Sequence, residues 1–503
     1  MSPAVGRWVL AATILGSSMA FIEGTVVNVA LPVLQLDLDA TAADVQWVVQ
    51  SYSLVLASLI LVGGSLGDRF GRRHIFALGV ALFTLASVWC GLAPDLDQLI
   101  VARVVQGVGG ALLVPGSLAI ISATFSGEER GRAIGTWSGF TAITMAIGPV
   151  VGGWLIENLS WRWVFYMNLP LAVIVLAITW RHVPESRDEA AGRLDWAGAL
   201  LATVGLGGLV YGLTEAAVRG WTDPMVLATL ALGVGALVSF VVVEGRLRAP
   251  MVPLELFRSR TFSGANLLTL LLYAALGGAL YYVPFNLLQV QGYSATGTGA
   301  ALLPMILLMF GLSRWAGGLV HRYGARRPLI IGPLIAAVGF ALFALPGLGV
   351  SYWTSVFPAA VVLGFGLTVT VAPLTTTVMN AVEERHSGLA SGINNAVSRA
   401  GGVLAIAVFS IVVTGIFNSN LDDRVADLRL PVAAQEDIEA QREQLAAIAA
   451  PQGLDPEAAE AVNRAVDESF LAGYRVAMLL GAVLAAASAF MAWRMIEERP
   501  KPE

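Results

Sequence analysis

The chain of 503 residues is divided into apolar runs, and each is long enough to cross a lipid bilayer as a helix. A spanning helix needs about 20 mostly apolar residues to cover a hydrocarbon core about 30 Å thick. The sequence therefore predicts an all-α polytopic membrane protein. Fourteen such runs can be placed, at residues 9–31, 45–66, 75–93, 98–121, 132–155, 162–181, 195–215, 224–244, 262–288, 298–320, 328–346, 353–378, 388–416 and 469–493.

Composition supports this class and argues against several others. Hydrophobic residues make up 56% of the chain and charged residues 13%, which leaves too little polar surface for a soluble protein of this size. No basic patch with interleaved aromatic residues is present, so we expect no nucleic-acid partner. The single cysteine, Cys90, excludes an internal disulfide and a cysteine metal cluster. Lys501 is the only lysine, and this bias towards arginine is typical of a GC-rich bacterial genome.

Arginine predicts the orientation of the chain in the membrane. Nearly all loop arginines lie in segments on one side, whereas the short loops on the other side contain only Arg162 and Arg219. Basic loops stay in the cytoplasm, so both termini are predicted to be cytoplasmic. The first run is too long for the apolar part of a secretory signal, has only Arg7 ahead of it and contains a carboxylate. We interpret it as an uncleaved first helix.

A charged segment recurs and indicates an internal duplication. Residues 64–74 align with residues 317–327 at an offset of 321 − 68 = 253, with His321 in place of Asp68, and the triplet at 128–130 recurs at 383–385. Copies of equal orientation require an even number of helices between them, so the fourteen helices divide as six, two and six. We predict an N-terminal six-helix bundle at 1–184, a two-helix insertion with its connecting loops at 185–260 and a C-terminal six-helix bundle at 261–503. Parallel bundles of this kind place a transport site between them.

The one long hydrophilic stretch, at about 418–468, is predicted to be external. Residues 431–450 have the pattern of an amphipathic helix, and Asp455 with Pro456 is a helix start leading into the last span. A lid over the outer mouth and an ordinary solvated hairpin are both consistent with this segment. Its many charges favour the hairpin.

Several motifs resemble those of one known family. Residues 64–73, 99–110 and 148–153 resemble superfamily motifs after helix two, in helix four and in helix five, and residues 25–32, 161–170 and 391–395 resemble markers of a fourteen-helix branch. Over essentially its whole length the chain is similar to the major facilitator superfamily, in the fourteen-helix branch of drug:proton antiporters (multidrug efflux type). The resemblance implies two parallel six-helix bundles plus two inserted helices.

The resemblance also implies roles for two glycine-rich motifs. The first is a cytoplasmic latch that holds the outward-facing state by contacts across the two halves, and the second is the antiporter motif of helix five. Simple packing of small residues is an alternative for the second motif. The latch comprises Gly64, Asp68, Arg69, Gly71, Arg72 and Arg73, and the antiporter motif comprises Gly148, Pro149, Gly152 and Gly153.

Glu23 is the acid placed well inside a span, where an ionised side chain costs about 3 kcal/mol. Burial can turn such a carboxyl into a group that loads a proton or neutralises a cation. A structural carboxyl bonded to a neighbouring helix is the alternative. Arg103 in the fourth run cannot lose its proton and must be satisfied by a carboxylate, carbonyls or water. The resemblance implies a role for it in proton coupling, and Gln106 is a plausible bonding neighbour.

Other polar and aromatic residues lie on helices that could surround a cavity. Aromatic residues at helical spacing more often face lipid or the core, so these are hypotheses about a substrate site. Arg314, Arg399 and Arg475 also lie in apolar runs and match nothing carried over from the family. The candidates for lining a substrate site are Asn28, Trp47, Tyr52, Tyr281, Asn286 and Asn394.

These observations lead to one functional hypothesis with two rivals. We expect proton-coupled efflux of amphipathic, hydrophobic or cationic, drugs or toxic metabolites by alternating access across a bacterial cytoplasmic membrane. The rivals are an exporter or flippase of envelope lipids or glycolipids and, more distantly, a membrane sensor that does not transport. No phosphate-binding Gly-Lys loop and no His or Cys metal set is present, so we expect no enzyme, metal or cofactor. The expected energy source is the proton gradient, and the expected state is a monomer.

Overall fold

The computed structural model describes residues 3–125, 127–187, 195–247, 250, 252–382 and 387–498, and all regular elements in these ranges are helical. We number the long helices in chain order. They are α1 (Pro3–Asp37), α2 (Ala42–Phe70), α3 (Arg72–Leu92), α4 (Leu96–Thr124), α5 (Gly127–Asn158), α6 (Trp163–His182, with a break at Met167), α7 (Trp196–Arg219), α8 (Pro224–Glu244), α9 (Arg260–Val290, ending in the π-helical turn Asn286–Val290), α10 (Ala295–Ala301, Leu303–Gly317 and Leu319–Tyr323), α11 (Arg326–Phe343), α12 (Val356–Asn380), α13 (Ser387–Leu428) and α14 (Pro456–Met495).

These helices confirm the predicted polytopic membrane fold. Within the described ranges, thirteen helical segments are long and apolar enough to cross a membrane. The remaining predicted span corresponds to α5, whose 32 residues make about 48 Å of helix at 1.5 Å per residue. Because α5 packs along α1 and against α10, we assign it as the fourteenth span.

Polar caps set the helix boundaries on the predicted external side. The hydroxyl of Thr41 caps α2 and the carboxylate of Asp44 bonds back to the Thr41 backbone, which forms a capping box. Asp95 caps α4 in the same manner. The predicted start of the last helix is confirmed, since Asp455 accepts from the backbone of Ala458 and Pro456 occupies the first position of α14.

The long helices form two bundles and an inserted pair. In the N-terminal bundle α4 packs on both α2 and α3, and in the C-terminal bundle α11 packs on α12 and α14. The bundles meet where α2 contacts α13 and where α5 contacts α10. The inserted helices α7 and α8 pack on each other, and α7 also contacts α2 and α13. The insertion therefore covers one of the two seams between the bundles.

The duplicated charged segment has the same backbone in both copies. Gly71 has φ +107° and Gly324 has φ +76°, and their separation equals the offset of the sequence repeat, 324 − 71 = 253. A Cβ at Gly71 would lie 2.8 Å from the carboxylate of Glu185, which follows α6, and one at Gly324 would lie 2.5 Å from the carbonyl of Glu498, which follows α14. Positive φ and the close approach together favour glycine. The predicted latch thus ends in a sharp turn against the last helix of its own bundle.

The external segment differs from its prediction. The amphipathic helix expected over 431–450 ends early, as Val432–Ala440, and a 3₁₀ turn at Arg442–Ala447 follows. Leu445 adopts φ +54°, which turns its side chain into the apolar core, where it is buried. The amide of Gln35 at the outer end of α1 donates to the carbonyl of Gln444 at 2.8 Å. The segment therefore packs on both bundles at the end that is predicted to be external, which the solvated-hairpin interpretation missed.

Candidate functional site

The carboxylate of Glu23 lies in α1 and is fully buried. Arg103 of α4 donates from Nη1 to its Oε1 at 2.6 Å, and Asn168 of α6 donates from Nδ2 to its Oε2 at 2.8 Å. Both carboxylate oxygens thus accept N–H bonds, which is the arrangement of an ionised carboxylate. This buried ion pair joins three helices of the N-terminal bundle.

Besides the carboxylate, the Arg103 guanidinium contacts a backbone carbonyl, a side-chain amide and an aromatic ring. Its Nε donates to the carbonyl of Val48 at 2.9 Å, and its Nη1 also donates to Oε1 of Gln106 at 2.7 Å, as expected for that neighbour. The ring of Tyr52 lies 4.4 Å from the guanidinium carbon. Such partners can hold the cation when the carboxylate is neutral, since carbonyl, amide and ring all attract positive charge.

Asn168 can serve both protonation states of the carboxyl. A protonated Glu23 presents an O–H that needs an acceptor, whereas the N–H groups now facing it are donors. The Oδ1 atom of Asn168 is buried and accepts no hydrogen bond within the described part of the chain. Rotation of the amide would present this oxygen to the carboxyl proton. Sequence reasoning quoted Asn168 only within the 161–170 motif, although an amide inside an apolar run is itself a signal.

The glycines of the predicted antiporter motif bring α5 into contact with both bundles. A Cβ at Gly152 would lie 1.8 Å from Val26 of α1, and one at Gly153 would lie 2.4 Å from the carbonyl of Ala295 in α10. A Cβ at Gly299 of α10 would lie 2.0 Å from the carbonyl oxygen of Pro149. Gly148 faces α1 beside Thr25. Close packing therefore accounts for all four residues. Their role in antiport stays a prediction.

The predicted latch residues contact their own bundle. Asp68 pairs with Arg72 at 2.7 Å, and Arg73 lies 3.7 Å from Glu185 and also donates its backbone N–H to that carboxylate at 3.1 Å. Arg69 is exposed, and Gly64 packs on Pro115 of α4. Contacts of this segment across the two halves stay a prediction. Sequence reasoning missed Glu185, the acid that anchors the turn.

The six candidates for a substrate site separate into distinct places. Trp47 packs on Tyr211 of α7, with ring centroids 5.9 Å apart, so it joins the bundle to the insertion. Asn28 bonds to its own helix through the carbonyl of Gly24. Asn394 of α13 donates to Thr269 of α9 at 2.6 Å. These three side chains have structural partners.

The other three are buried. Tyr281 lines a small cavity at the outer end together with Gln46 of α2 and Leu445 of the external segment. Asn286 is buried at the start of the π-helical turn of α9. Tyr52 lies beside the ion pair, and its hydroxyl has no hydrogen-bond partner within the described residues. Of the three, Tyr281 lines a cavity shared by the two halves.

The arginines without a family counterpart also differ from one another. Arg475 lies near the predicted outer end of the span at 469–493 and donates to the carbonyl of Pro346 at 3.2 Å, as a snorkelling side chain. The side chain of Arg314 lies outside the described set. Arg399 of α13 has a buried Nε without a hydrogen-bond partner within the described ranges.

Two bundles of membrane helices with a buried ion pair beside the seam define a polytopic membrane transporter. The family profile of the Major Facilitator Superfamily matches residues 13–406. The chain belongs to this superfamily, and it is a transporter, not an enzyme. The assignment confirms the predicted family and fold.

The chain is similar to several drug-resistance proteins. It is 34% identical to the multidrug resistance protein Stp of Mycobacterium tuberculosis, with 96% of this chain and 91% of that protein covered. It is 32% identical to the tetracenomycin C resistance and export protein of Streptomyces glaucescens, over 96% and 90% of the two chains, and 37% identical to the puromycin resistance protein pur8 of Streptomyces alboniger, over 83% of each. A bacterial homolog of the human lysosomal transporter Spinster shares the fold, with a TM-score of 0.66, 17% identity and full coverage of both chains.

Proposed function

We propose that the chain exports amphipathic, hydrophobic or cationic compounds across the bacterial cytoplasmic membrane in exchange for protons. The observation that carries this proposal is the buried pair of Glu23 and Arg103 inside a transporter fold. The names of the relatives support efflux as the direction of transport, and puromycin and tetracenomycin C illustrate the class of compound.

Proton exchange needs a group whose charge can change within the membrane. Arginine cannot supply it, because its guanidinium stays protonated. In the described residues the fully buried acids are Glu23 and Glu244, and Glu244 ends the inserted α8, where it caps the backbone of Val252. Glu23 is therefore the acid suited to carry the proton.

The ion pair provides a coupling step. Protonation of Glu23 removes the charge that holds Arg103, and the guanidinium then depends on the Val48 carbonyl, Gln106 and the Tyr52 ring. Tyr52 belongs to α2, one of the helices that meets the other bundle. A proton on Glu23 therefore changes the contacts of a helix at the seam, where alternating access must act.

Everted membrane vesicles test this function. Addition of puromycin to vesicles with an established proton gradient should collapse the gradient for the native protein, and Glu23→Gln, which fixes the neutral state, should abolish the response. Glu215→Gln is the matched control, because Glu215 pairs with Arg219 at the outer end of α7 and should leave coupling intact. Equal insertion of all forms is checked first. Retention of coupling by Glu23→Gln would place the proton site elsewhere.

A further inference from the structure

Arg399 occupies the middle of the membrane without a counter-charge. It is the thirteenth residue of α13, about 18 Å from the inner end of that helix at 1.5 Å per residue. Its side chain is half-buried, and its Nε is fully covered and donates to nothing within the described ranges. Tyr52 and Tyr273 are the titratable groups within electrostatic reach, and no carboxylate of the described chain is among them.

The side chain lies on the seam between the two bundles. Ala396, one turn before Arg399 on the same face of α13, packs against the core of the N-terminal bundle. Tyr52 comes from α2 of that bundle, and Tyr273 comes from α9 of the C-terminal bundle. Arg399 is thus enclosed by both halves at the depth where a carrier of this architecture holds its cargo.

Two hydrogen-bond donors in this place lack acceptors. They are the Nε–H of Arg399 and the hydroxyl of Tyr52, which is also buried without a partner in the described set. A buried donor left unpaired is costly, and a charged side chain held inside the membrane without a counter-charge is costly as well. Arginine cannot relieve the cost by releasing its proton. An acceptor that carries negative charge would satisfy both groups.

The local charge balance also favours an anion. Glu23 and Arg103 neutralise each other in their ion pair. Arg399 then leaves one net positive charge at the seam, which repels a cation and attracts an anion. The expectation of a cationic cargo relied on a free carboxylate at Glu23, and that carboxylate is occupied.

We propose that Arg399, together with the hydroxyl of Tyr52, binds an acidic group of the transported compound, namely a carboxylate or an ionised phenol attached to an apolar ring system. Arg399 supplies a charged fork that matches two acceptor oxygens. The proposal rests on the proposed export function and replaces the cationic part of its substrate range with acidic compounds, while neutral hydrophobic substrates remain. It makes Arg399 a residue that selects substrate, distinct from the proton pair.

A matched set of probes tests this selection. Anthracene-9-carboxylate, 9-anthracenemethanol and 9-(aminomethyl)anthracene share one ring system and differ in charge. Binding to the purified full chain is measured by quenching of tryptophan fluorescence at pH 7, in nanodiscs of zwitterionic phosphatidylcholine, so that no anionic headgroup competes. We expect the carboxylate to bind at least about tenfold more tightly than the alcohol, and the amine to bind most weakly.

Variants assign the preference to one side chain. Arg399→Gln should remove the advantage of the carboxylate and leave the affinity for the alcohol within about twofold, and Arg399→Lys should keep part of it, because lysine retains the charge without the fork. Arg475→Gln is the matched control, since that arginine bonds to the carbonyl of Pro346 between α11 and α12, and its loss should leave all three affinities unchanged. Tyr52→Phe removes only one hydroxyl and should weaken the carboxylate alone.

The outcomes decide the proposal without a proton gradient. A carboxylate that binds no more tightly than the alcohol to the native protein overturns it, and so does an equal loss for all three probes in Arg399→Gln, which would indicate packing. Binding selectivity together with absent proton coupling in vesicles would refute antiport and leave the acidic-group site standing. Proton coupling without this selectivity would refute the acidic-group site and leave antiport standing.

Discussion

The two bundles share a scaffold and differ in their buried charges. Both carry the same turn with a positive φ, at Gly71 and at Gly324, anchored on the last helix of the bundle. The N-terminal bundle encloses a carboxylate with its arginine, whereas Arg399 of the C-terminal bundle has no counter-charge among the described residues. The offset of the second repeat, 383 − 128 = 255, aligns Arg399 with Thr144, whose hydroxyl bonds to Ser18 at 2.9 Å.

This difference separates two kinds of chemistry on a duplicated fold. A closed ion pair has no affinity left for a charged cargo, but it changes when a proton arrives. A lone guanidinium cannot respond to protons, but it retains its full charge for a ligand. Tyr52 contacts the first group and lies within reach of the second, so one side chain adjoins both.

The largest expected difference between the bundles is in stability. Arg103→Leu leaves Glu23 charged and buried without a counter-charge, and we expect a loss of about 3–5 kcal/mol in the free energy of unfolding. Arg399→Leu removes an unpaired cation and leaves no partner stranded, so stability should be unchanged or higher. Thermal unfolding of the purified proteins in one detergent measures both changes. Equal losses would mean that Arg399 has a structural counter-charge.

A second variant confirms the cause of the loss at Arg103. The double substitution Glu23→Gln with Arg103→Leu removes both charges, so much of the lost stability should return. Failure of the double variant to recover would assign the loss to packing against Tyr52 instead.

Hydrogen bonds donated by two amides, the buried Asn168 and the half-buried Asn394, should show the same asymmetry on a smaller scale. Asn168→Leu removes a bond to an ionised carboxylate, and we expect a loss of about 1.5–3 kcal/mol. Asn394→Leu in the C-terminal bundle removes bonds to the neutral Thr269 and Asn266, and we expect about 1 kcal/mol. Urea unfolding in mixed micelles compares the two. Similar losses would contradict an ionised Glu23 in this conformation.

The sequence was informative where a physical constraint acts along the chain. Span length predicts the fourteen helices, and the fixed offset predicts the two bundles. The free-energy cost of placing a charged side chain inside the membrane singles out Glu23 and Arg103, which the structure brings together. The sequence carries no comparable signal for the hydrogen-bond partners of this pair. Asn168 and the Val48 carbonyl reach it only because α6 and α2 pack beside it.

The external segment is a second region whose tertiary contacts could not be predicted from the sequence. Its charges predicted exposure, but several of its apolar side chains, among them Ile438 and Ile448, are buried in the core, and Leu445 joins them at a backbone reversal. A positive φ at leucine is not encoded by any local pattern, because β-turn signals favour glycine and asparagine there. The neighbouring helices stabilise it by burying the side chain.

The paired turns allow a direct comparison of the two copies. Gly324→Ala places a Cβ against the backbone carbonyl of Glu498, which moves aside less readily than the flexible carboxylate of Glu185 that Gly71→Ala meets. Both also force alanine to a positive φ with an extended ψ, which costs about 1–3 kcal/mol. We expect a loss in this range at Gly71 and a larger loss at Gly324. Thermal unfolding compares them with Gly415→Ala, a helical position with open space that should gain stability.

The smallest expected effect concerns the outer end, where the two halves meet. Gln35 of the N-terminal bundle donates to the carbonyl of Gln444 and accepts from Gln289 of α9 at 3.2 Å, so one amide ties a helix of one half to two segments of the other. Gln35→Glu keeps the size of the side chain and its acceptor, but it loses the donor to Gln444 and faces that carbonyl with a negative oxygen. A neutral hydrogen bond contributes about 0.5–1.5 kcal/mol, so opening at this end should become two- to tenfold more frequent. The rate at which a membrane-impermeant maleimide labels a cysteine placed at Leu445 measures the opening, in a background where Cys90 is replaced by serine. Gln452→Glu, in the same segment and exposed, controls for the added charge. An unchanged labelling rate would show that burial of Leu445, and not the amide of Gln35, keeps the outer end closed.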